Sequence, residues 1–190
     1  MMHLILTVLI AVLLAKWRKY DLKPIFKSWT IYPVLLVQGV ILIFQASIFM
    51  GSHIFIPFAP YVTRMVILSF LPSILAYQLY LPAVLGSFAV LGGTLLNKFV
   101  IAQNNGRMPV FPTLSYWTGY ATPSSFAYDD GIHVLGSAAT QWKWLTDYID
   151  VGYSVLSPGD VLIHAFSVIL LYATIKAANQ KHNETNKRMM

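Results

Sequence analysis

Apolar residues fall into five runs along the chain, separated by short polar stretches and by one long polar stretch. The runs are Met1–Ala15, Ile31–Met50, Val62–Tyr80, Ala83–Ile101 and Val161–Ala177. A helix rises about 1.5 Å per residue and needs about 20 residues to cross a hydrocarbon core of about 30 Å. The pattern therefore predicts an all-α integral membrane bundle of about five transmembrane helices, the first of them short.

Two prolines divide the middle of this pattern. Pro72 removes one helix hydrogen bond within the third run, and Pro82 follows Tyr80 and Leu81. From Val62 to Ala102 the chain has about twice the residues that one crossing requires. We therefore expect two antiparallel helices joined near Tyr80–Pro82, the second of them rich in small residues that allow close helix packing.

Composition and charge support a membrane protein. The chain is 57% hydrophobic and 11% charged, and its net charge is +6. The basic residues lie in short blocks beside the apolar runs, so we expect no nucleic-acid partner. Five crossings with the N-terminus outside and the C-terminus inside place nine of the thirteen Lys and Arg on the inner side, as the positive-inside rule requires.

The ends of the chain and its cysteine content narrow the interpretation further. A secretory signal peptide carries its positive charges before the apolar region, whereas here Lys16, Arg18 and Lys19 follow it, so we expect an uncleaved first helix. There is no cysteine, which excludes disulfides and thiolate chemistry. We expect a single transmembrane domain over residues 1–178 and a disordered, cytoplasmic polar tail over residues 179–190.

One long polar and aromatic segment, Gln103–Leu156, interrupts the apolar pattern. We expect residues 102–158 to form an outward-facing cap on the membrane surface, because Tyr and Trp favour the membrane–water interface. Within it, Thr140–Val151 is predicted to be a short interfacial helix. Five of the six aspartates lie between Asp129 and Asp160, so the candidate chemistry gathers in this cap and at its edge.

Ser157-Pro158-Gly159-Asp160 precedes the last apolar run and has the pattern of a helix start. Ser157 is expected to cap the helix and Asp160 to reach back to it. The functional alternative is acid–base chemistry, in which Asp160 shares a proton with Asp147 or Asp150. His164, one turn later, is interpreted either as a buried, hydrogen-bonded histidine or as a proton relay for Asp160.

Two further stretches offer candidate binding residues. Asn105 and Arg107 belong to an Asn-Gly turn that becomes extended at Pro109, and Arg107 suits an internal carboxylate or a lipid phosphate. Asp130 and His133 lie in a second stretch, Asp129-Asp130-Gly131-Ile132-His133, which we interpret as a solvated turn. No further ligand follows at metal-binding spacing, so we expect neither metal nor cofactor.

Together these stretches resemble a family of bacterial membrane proteins, the domain of unknown function 5317. The resemblance extends over nearly the whole chain. It implies a location in the bacterial cytoplasmic membrane and supplies no activity. The residues that carry it are the basic block after the first helix, Trp29, Gln38, Asn105 to Val110, His133, Leu145, Asp147 and Ser157 to Val161.

The last third is also similar to lipoprotein signal peptidase, a membrane aspartic protease. Leu145–Asp150 followed by Ser157–Ile163 resembles the segment that ends in the second catalytic aspartate of that enzyme, which would be Asp160. That family carries its first catalytic aspartate in Gly-Asn-x-x-Asp-Arg, and this chain has no acid in Gly136–Gln141. Asp147 would have to substitute.

Two function hypotheses follow. The first is a noncatalytic membrane subunit or sensor whose outer cap binds a peptide, lipid or protein partner. The second is an intramembrane hydrolase that uses Asp160 with Asp147 or Asp150. A transporter is disfavoured, because the apolar runs lack the paired interrupted segments of inverted repeats.

Overall fold

The computed structural model describes residues 3–52, 54–122 and 132–189, and these are mostly helical. Eight α-helices are joined by loops, single turns of 3₁₀ helix and four short strands. The helices are α1 (His3–Trp17), α2 (Lys23–Phe26), α3 (Tyr32–Phe49), α4 (Ala59–Ser69), α5 (Leu71–Ala76), α6 (Tyr80–Gln103), α7 (Leu114–Trp117) and α8 (Pro158–Met189). The strands are β1 (Met108–Val110), β2 (His133–Leu135), β3 (Ile149–Asp150) and β4 (Val155–Leu156).

Among the described residues, three helical segments are long and apolar enough to cross a membrane: Trp29–Phe49, Tyr80–Gln103 and Pro158–Met189. They coincide with the second, fourth and fifth apolar runs. The first and third runs form the shorter apolar helices Ile5–Trp17 and Arg64–Ala76. The prediction of a mostly helical protein is thus confirmed, and three of its five expected spans are long and apolar enough to cross a membrane.

Prolines mark the helix boundaries. Helix α4 ends at Ser69 and α5 begins at Leu71, which places Pro72 in the first turn of α5, where its missing N–H is not needed. The turn before α6 lies at Gln78, whose φ is +53°. Pro82 likewise lies in the first turn of α6. The connection predicted at Tyr80–Pro82 therefore lies slightly earlier in the chain.

The chain divides into two compact units. The first consists of Met1–Ser87 and Ala165–Met190. The Phe70 and Phe166 rings meet edge to face with their centroids 5.9 Å apart. The backbone N–H of Asp21 donates to Asn179 Oδ1 at 2.9 Å, and Asn179 Nδ2 donates back to the Asp21 carbonyl at 2.6 Å. The tail expected to be disordered is instead helical through Met189.

The second unit, Phe88–His164, contains the four strands. Strands β1 and β2 pair in parallel with Met108 opposite His133, and β3 and β4 pair antiparallel with Ile149 opposite Leu156. Val100, Met108 and Leu145 form a small apolar core. The cap is therefore not all-α, because short extended segments organise it.

The helix predicted over Thr140–Val151 is wrong. Trp142 adopts a left-handed conformation with φ of +52°, and only one turn of 3₁₀ helix, Lys143–Leu145, follows it. Asp147 then makes a parallel bridge with Val110, and Asp150 lies in β3. Hydrogen bonds to distant strands thus replace the local hydrogen bonds that a helix would need.

Candidate functional site

The start of α8 is a reciprocal cap, as the sequence predicts. The Asp160 backbone N–H donates to Ser157 Oγ at 3.0 Å, and the Ser157 backbone N–H donates to Asp160 Oδ2 at 3.1 Å. These two bonds satisfy donors that the first turn of a helix otherwise leaves without partners. The negative charge of Asp160 also suits the positive end of the helix.

Asn97 of α6 completes this cap from the opposite side. Its Nδ2 donates to Asp160 Oδ1 at 2.8 Å, and its Oδ1 accepts a hydrogen bond from Ser157 Oγ, also at 2.8 Å. Both carboxylate oxygens of Asp160 are therefore engaged within the protein. The sequence places Asn97 among the polar residues of the outer side, because an amide within an apolar run is costly in a membrane, but it does not identify Asp160 as its partner.

Two glycines allow this close approach of α6 and α8. A Cβ atom on Gly93 would collide with the Gly159 carbonyl oxygen and lie 2.9 Å from Ile163 Cγ1. A Cβ atom on Gly159 would collide with Asn97 Oδ1. Glycine is needed at both positions because the backbones themselves are in contact, as is common between helices in membranes.

Asp147, in the same unit as this cap, is only 4% exposed, and its carboxyl interacts electrostatically with Asp160. Its backbone N–H donates to the Pro109 carbonyl at 3.1 Å, and its carbonyl accepts from the Phe111 N–H at 2.7 Å. Burial, and then the nearby charge of Asp160, raise the pKa of the Asp147 carboxyl to about 8. At neutral pH this carboxyl is therefore mostly protonated.

The two oxygens of the Asp147 carboxyl have different surroundings. Oδ1 is buried without a hydrogen-bond partner in the part of the chain that the structure describes. Oδ2 lies 3.8 Å from Nε2 of His133, whose side chain is 46% exposed. His133 thus connects the buried carboxyl to the surface of the unit.

Asp150 has a structural role and is not brought to Asp160. Its carboxylate accepts hydrogen bonds from the Thr113 N–H at 2.6 Å, the Ser115 N–H at 2.8 Å, the Ser115 hydroxyl at 2.6 Å and the Gly152 N–H at 2.8 Å. Burial alone would raise the pKa of Asp150, but these donors lower it below its usual value. The charged carboxylate joins the start of α7 to the turn between β3 and β4.

The remaining predicted residues are dispersed. His164 lies one turn beyond Asp160 and is half-buried. Asn105 is exposed in the turn after α6, with φ of +56°, and the half-buried Arg107 directly precedes β1. Asp130 lies outside the described residues. Within the described ranges, His, Asp and Glu side chains do not form a group of three that could hold a metal ion.

Hydrogen bonds therefore group three polar side chains, Asn97, Ser157 and Asp160, while the Asp147 carboxyl is linked to Asp160 by charge and lies 3.8 Å from His133. The group can hold one proton on a buried carboxyl next to a fixed negative charge, which is a form of acid–base poise. The sequence identified the two acids and the histidine. It did not identify Asp147 as the buried member, because its burial depends on the bridge to β1.

Comparison with known proteins places the chain in a family without assigning an activity. Searches among curated proteins and among solved structures found no match. One family, described as a family of unknown function, matches residues 22–172 and so covers most of the chain, including α3, α6, both sheets and the cap of α8. The resemblance seen in the sequence is confirmed, and the chain belongs to this family, DUF5317.

Proposed function

We propose that this chain is a noncatalytic membrane sensor or subunit whose 88–164 unit binds a peptide, lipid or protein partner. The protonation state of Asp147 controls that unit, and the partner contacts the surface that carries Asn105, Arg107 and His133. The observation that supports this proposal best is the buried Asp147 carboxyl, with one oxygen lacking a described partner and the other near exposed His133.

The proposal includes a location and a topology. Five crossings of the bacterial cytoplasmic membrane, with the N-terminus outside and the C-terminus inside, put the 102–158 cap on the extracytoplasmic face. Three long apolar helices and two shorter ones lie at the five expected positions, which supports this arrangement. The excess of Lys and Arg on the proposed inner side supports its direction.

Deprotonation of Asp147 is transmitted to the surface of the unit through backbone hydrogen bonds. Deprotonation puts a buried negative charge next to that of Asp160, which is unfavourable in a low-dielectric site. The Asp147 backbone is hydrogen-bonded to Pro109 and Phe111, at and just after β1. Strand β1 pairs with the exposed strand β2, so a shift of Asp147 changes the surface around His133.

The first test is the pH dependence of stability. The folded protein holds a proton on Asp147 up to a pKa of about 8, whereas the usual value is 3.8. The stabilisation is therefore fully present below pH 3.8 and is lost as the pH rises through 8. We expect the free energy of unfolding of the wild type to fall by up to about 1.4 kcal/mol per pH unit between pH 5 and 8.

Two variants and one control test whether Asp147 causes this pH dependence of the free energy of unfolding. Asp147→Asn carries a neutral side chain of the same shape and is expected to remove the slope. Asp160→Asn removes the neighbouring charge and is expected to end the slope at a lower pH. Glu184→Gln removes an exposed acid on α8 and should leave the slope unchanged. A wild-type slope that Asp147→Asn retains would contradict the proposal.

Hydrogen exchange of the protein in lipid nanodiscs identifies the segments that respond to deprotonation of Asp147. After correction for intrinsic exchange rates, we expect β1 and β2 of the wild type to lose protection between pH 6 and 9, and those of Asp147→Asn to keep it. Equal protection of the wild type at both pH values would exclude the sensor role, because the surface would then not respond to the proton.

An aspartate-dependent hydrolase is the second candidate. It is favoured by one observation, that the charge of Asp160 raises the pKa of Asp147, as in paired catalytic carboxyls. The hydrogen bonds that engage both oxygens of Asp160, and the burial of Asp147, favour the first candidate. Peptide cleavage by the purified wild type that a stably folded Asp160→Asn protein lacks would reverse this preference, whereas loss of folding in Asp160→Asn supports the capping role.

A further inference from the structure

The first unit contains a cavity of about 270 Å³ that plays no part in the site around Asp147. Three segments form its walls: the loop before α3, the end of α5 and the polar part of α8. All three belong to the same compact unit. The cavity is large enough for a phosphate group and its immediate substituents.

The lining of this cavity is basic. Lys27 comes from the loop before α3, and Lys181 and His182 come from α8. The described lining includes neither Asp nor Glu. The two ammonium groups, which come from different segments, create a positive potential that favours an anion, and the imidazole adds a hydrogen-bonding group.

Hydrogen bonds among hydroxyl groups fix their positions on one wall of the cavity. Tyr77 Oη donates to Ser28 Oγ at 2.9 Å, and Ser28 Oγ lies 2.9 Å from Thr30 Oγ1. The Lys181 ammonium lies over the Tyr77 ring, 5.8 Å from its centroid. These contacts fix the positions of the Ser28 hydroxyl and the Lys181 ammonium along one wall, and both groups can donate to an oxyanion.

The cavity also lies at the ends of apolar segments. Its lining includes Trp29, the first residue of one candidate span, and Ala76 and Tyr77, where the shorter apolar helix ends. Trp29 is 65% exposed, as is typical of an indole at a membrane–water interface. Lipid phosphates occupy this level, and basic pockets between helices are known sites for anionic head groups.

We propose that this cavity binds a phosphate group, with Lys27 and Lys181 as its charge partners and an anionic phospholipid head group as its source. His182 and the Ser28 hydroxyl supply further hydrogen bonds, and Tyr77 holds the Ser28 hydroxyl in place by donating to it. A soluble phosphate has the same chemistry at this site, so the experiment has to separate the two sources. The inference is independent of the role proposed for Asp147.

The test compares pocket and control variants of the full-length protein. Purified protein in neutral detergent is titrated with phosphatidylglycerol, and bound lipid is counted by native mass spectrometry. Lys27→Gln/Lys181→Gln is expected to raise the apparent Kd at least tenfold. Lys16→Gln/Lys187→Gln removes the same charge from exposed positions outside the described lining and is expected to change it less than twofold.

Two measurements keep the test valid if the pocket variant folds poorly. Lys27→Arg/Lys181→Arg preserves the charge and should bind phosphatidylglycerol within threefold of the wild type. In the wild type itself, bound phosphatidylglycerol should protect Lys27 and Lys181 from acylation while leaving Lys16 and Lys187 reactive. Equal loss of affinity in the pocket and control variants, or unprotected Lys27 and Lys181, would overturn the proposal.

Competition with inorganic phosphate shows whether the bound phosphate group belongs to a lipid or to a soluble molecule. If millimolar phosphate fails to displace phosphatidylglycerol, the site takes a lipid head group. If phosphate displaces the lipid and protects the same two lysines, the site takes a soluble phosphate as well. Both results support a phosphate site, whereas equal binding of neutral phosphatidylcholine would exclude a role for the phosphate charge.

Discussion

The aspartates of the second unit illustrate three uses of one side chain. Asp160 accepts hydrogen bonds at the start of a helix, Asp150 accepts them from a loop, and Asp147 is buried and mostly protonated. Their different environments, and not their spacing in the sequence, separate these roles. A charged carboxylate is stabilised by several N–H donors, whereas a buried one that lacks them retains its proton.

Asp150 offers a test of this distinction. Asp150→Asn replaces an acceptor of five hydrogen bonds with an amide whose NH₂ group faces backbone N–H donors. We expect the free energy of unfolding to fall by about 1–3 kcal/mol, measured by thermal unfolding in detergent at pH 7.

The pH dependence of this loss has a defined sign. Because the donors lower the pKa of Asp150, its contribution is present above the usual carboxyl pKa and is lost as the pH falls through the lower folded value. The difference between Asp150→Asn and wild type should therefore shrink in acid. Glu184→Gln serves as the control with the same charge change, and an equal effect of both variants would refute the structural role.

At the residue scale, the sequence predicts hydrogen bonds between residues that are close in the chain, but not those between residues far apart in it. The reciprocal bonds between Ser157 and Asp160 join residues three apart, so their spacing alone predicts them. The bond from Asn97 to Asp160 joins residues 63 apart, and it depends on how α6 meets α8. The burial of Asp147 likewise depends on the bridge to Val110.

At the scale of elements, the contact between α6 and α8 in the second unit depends on adjacent glycines with different roles. A Cβ atom on Gly93 would meet the α8 backbone, whereas one on Gly92 would have nothing within 4 Å. The two positions therefore form a matched pair on one helix, with the same change in chemistry and different space around it.

Alanine at position 93 and alanine at position 92 are expected to have different effects on the stability of the protein. We expect Gly93→Ala to destabilise the protein by about 1–3 kcal/mol, because the helices must move apart. Gly92→Ala should be neutral or stabilise it by up to about 1 kcal/mol through helix propensity. Thermal unfolding in detergent compares the two, and similar effects would show that this helix contact does not limit stability.

Element prediction from the sequence succeeds where helices are long and fails where extended segments are short. Apolar runs near 20 residues carry enough signal to locate α3, α6 and the start of α8. Strands of two or three residues carry little periodicity, and β1 pairs with β2 across more than twenty intervening residues. Pro109 predicted extended backbone in β1 but could not identify its partner.

At the scale of the whole molecule, the proposed topology assigns each polar region to one side of the membrane. Ala139 lies in the cap, and Asn183 lies beyond the apolar part of α8, so one candidate span separates them. Both residues are exposed. The chain has no cysteine, which makes it a natural background for single-cysteine labelling.

The proposed topology predicts one-sided labelling in intact cells. Ala139→Cys should react with a membrane-impermeant maleimide, while Asn183→Cys should react only after permeabilisation. The cysteine-free parent provides the control for background. The reverse pattern would invert the topology, and labelling of both positions in intact cells would contradict a crossing by α8.

The close contact of Gly93 with Gly159 also bears on sequence divergence within the family. In the proposed membrane topology, the exposed apolar residues of α6 face lipid, and they are expected to exchange among apolar types because hydrocarbon imposes no specific shape. The contact residues cannot vary separately, since Gly93 and Gly159 fix the helix spacing at which Asn97 reaches Asp160. A distant relative with a different apolar surface is therefore expected to keep glycine and asparagine four residues apart in one helix and Ser-x-Gly-Asp at the start of another.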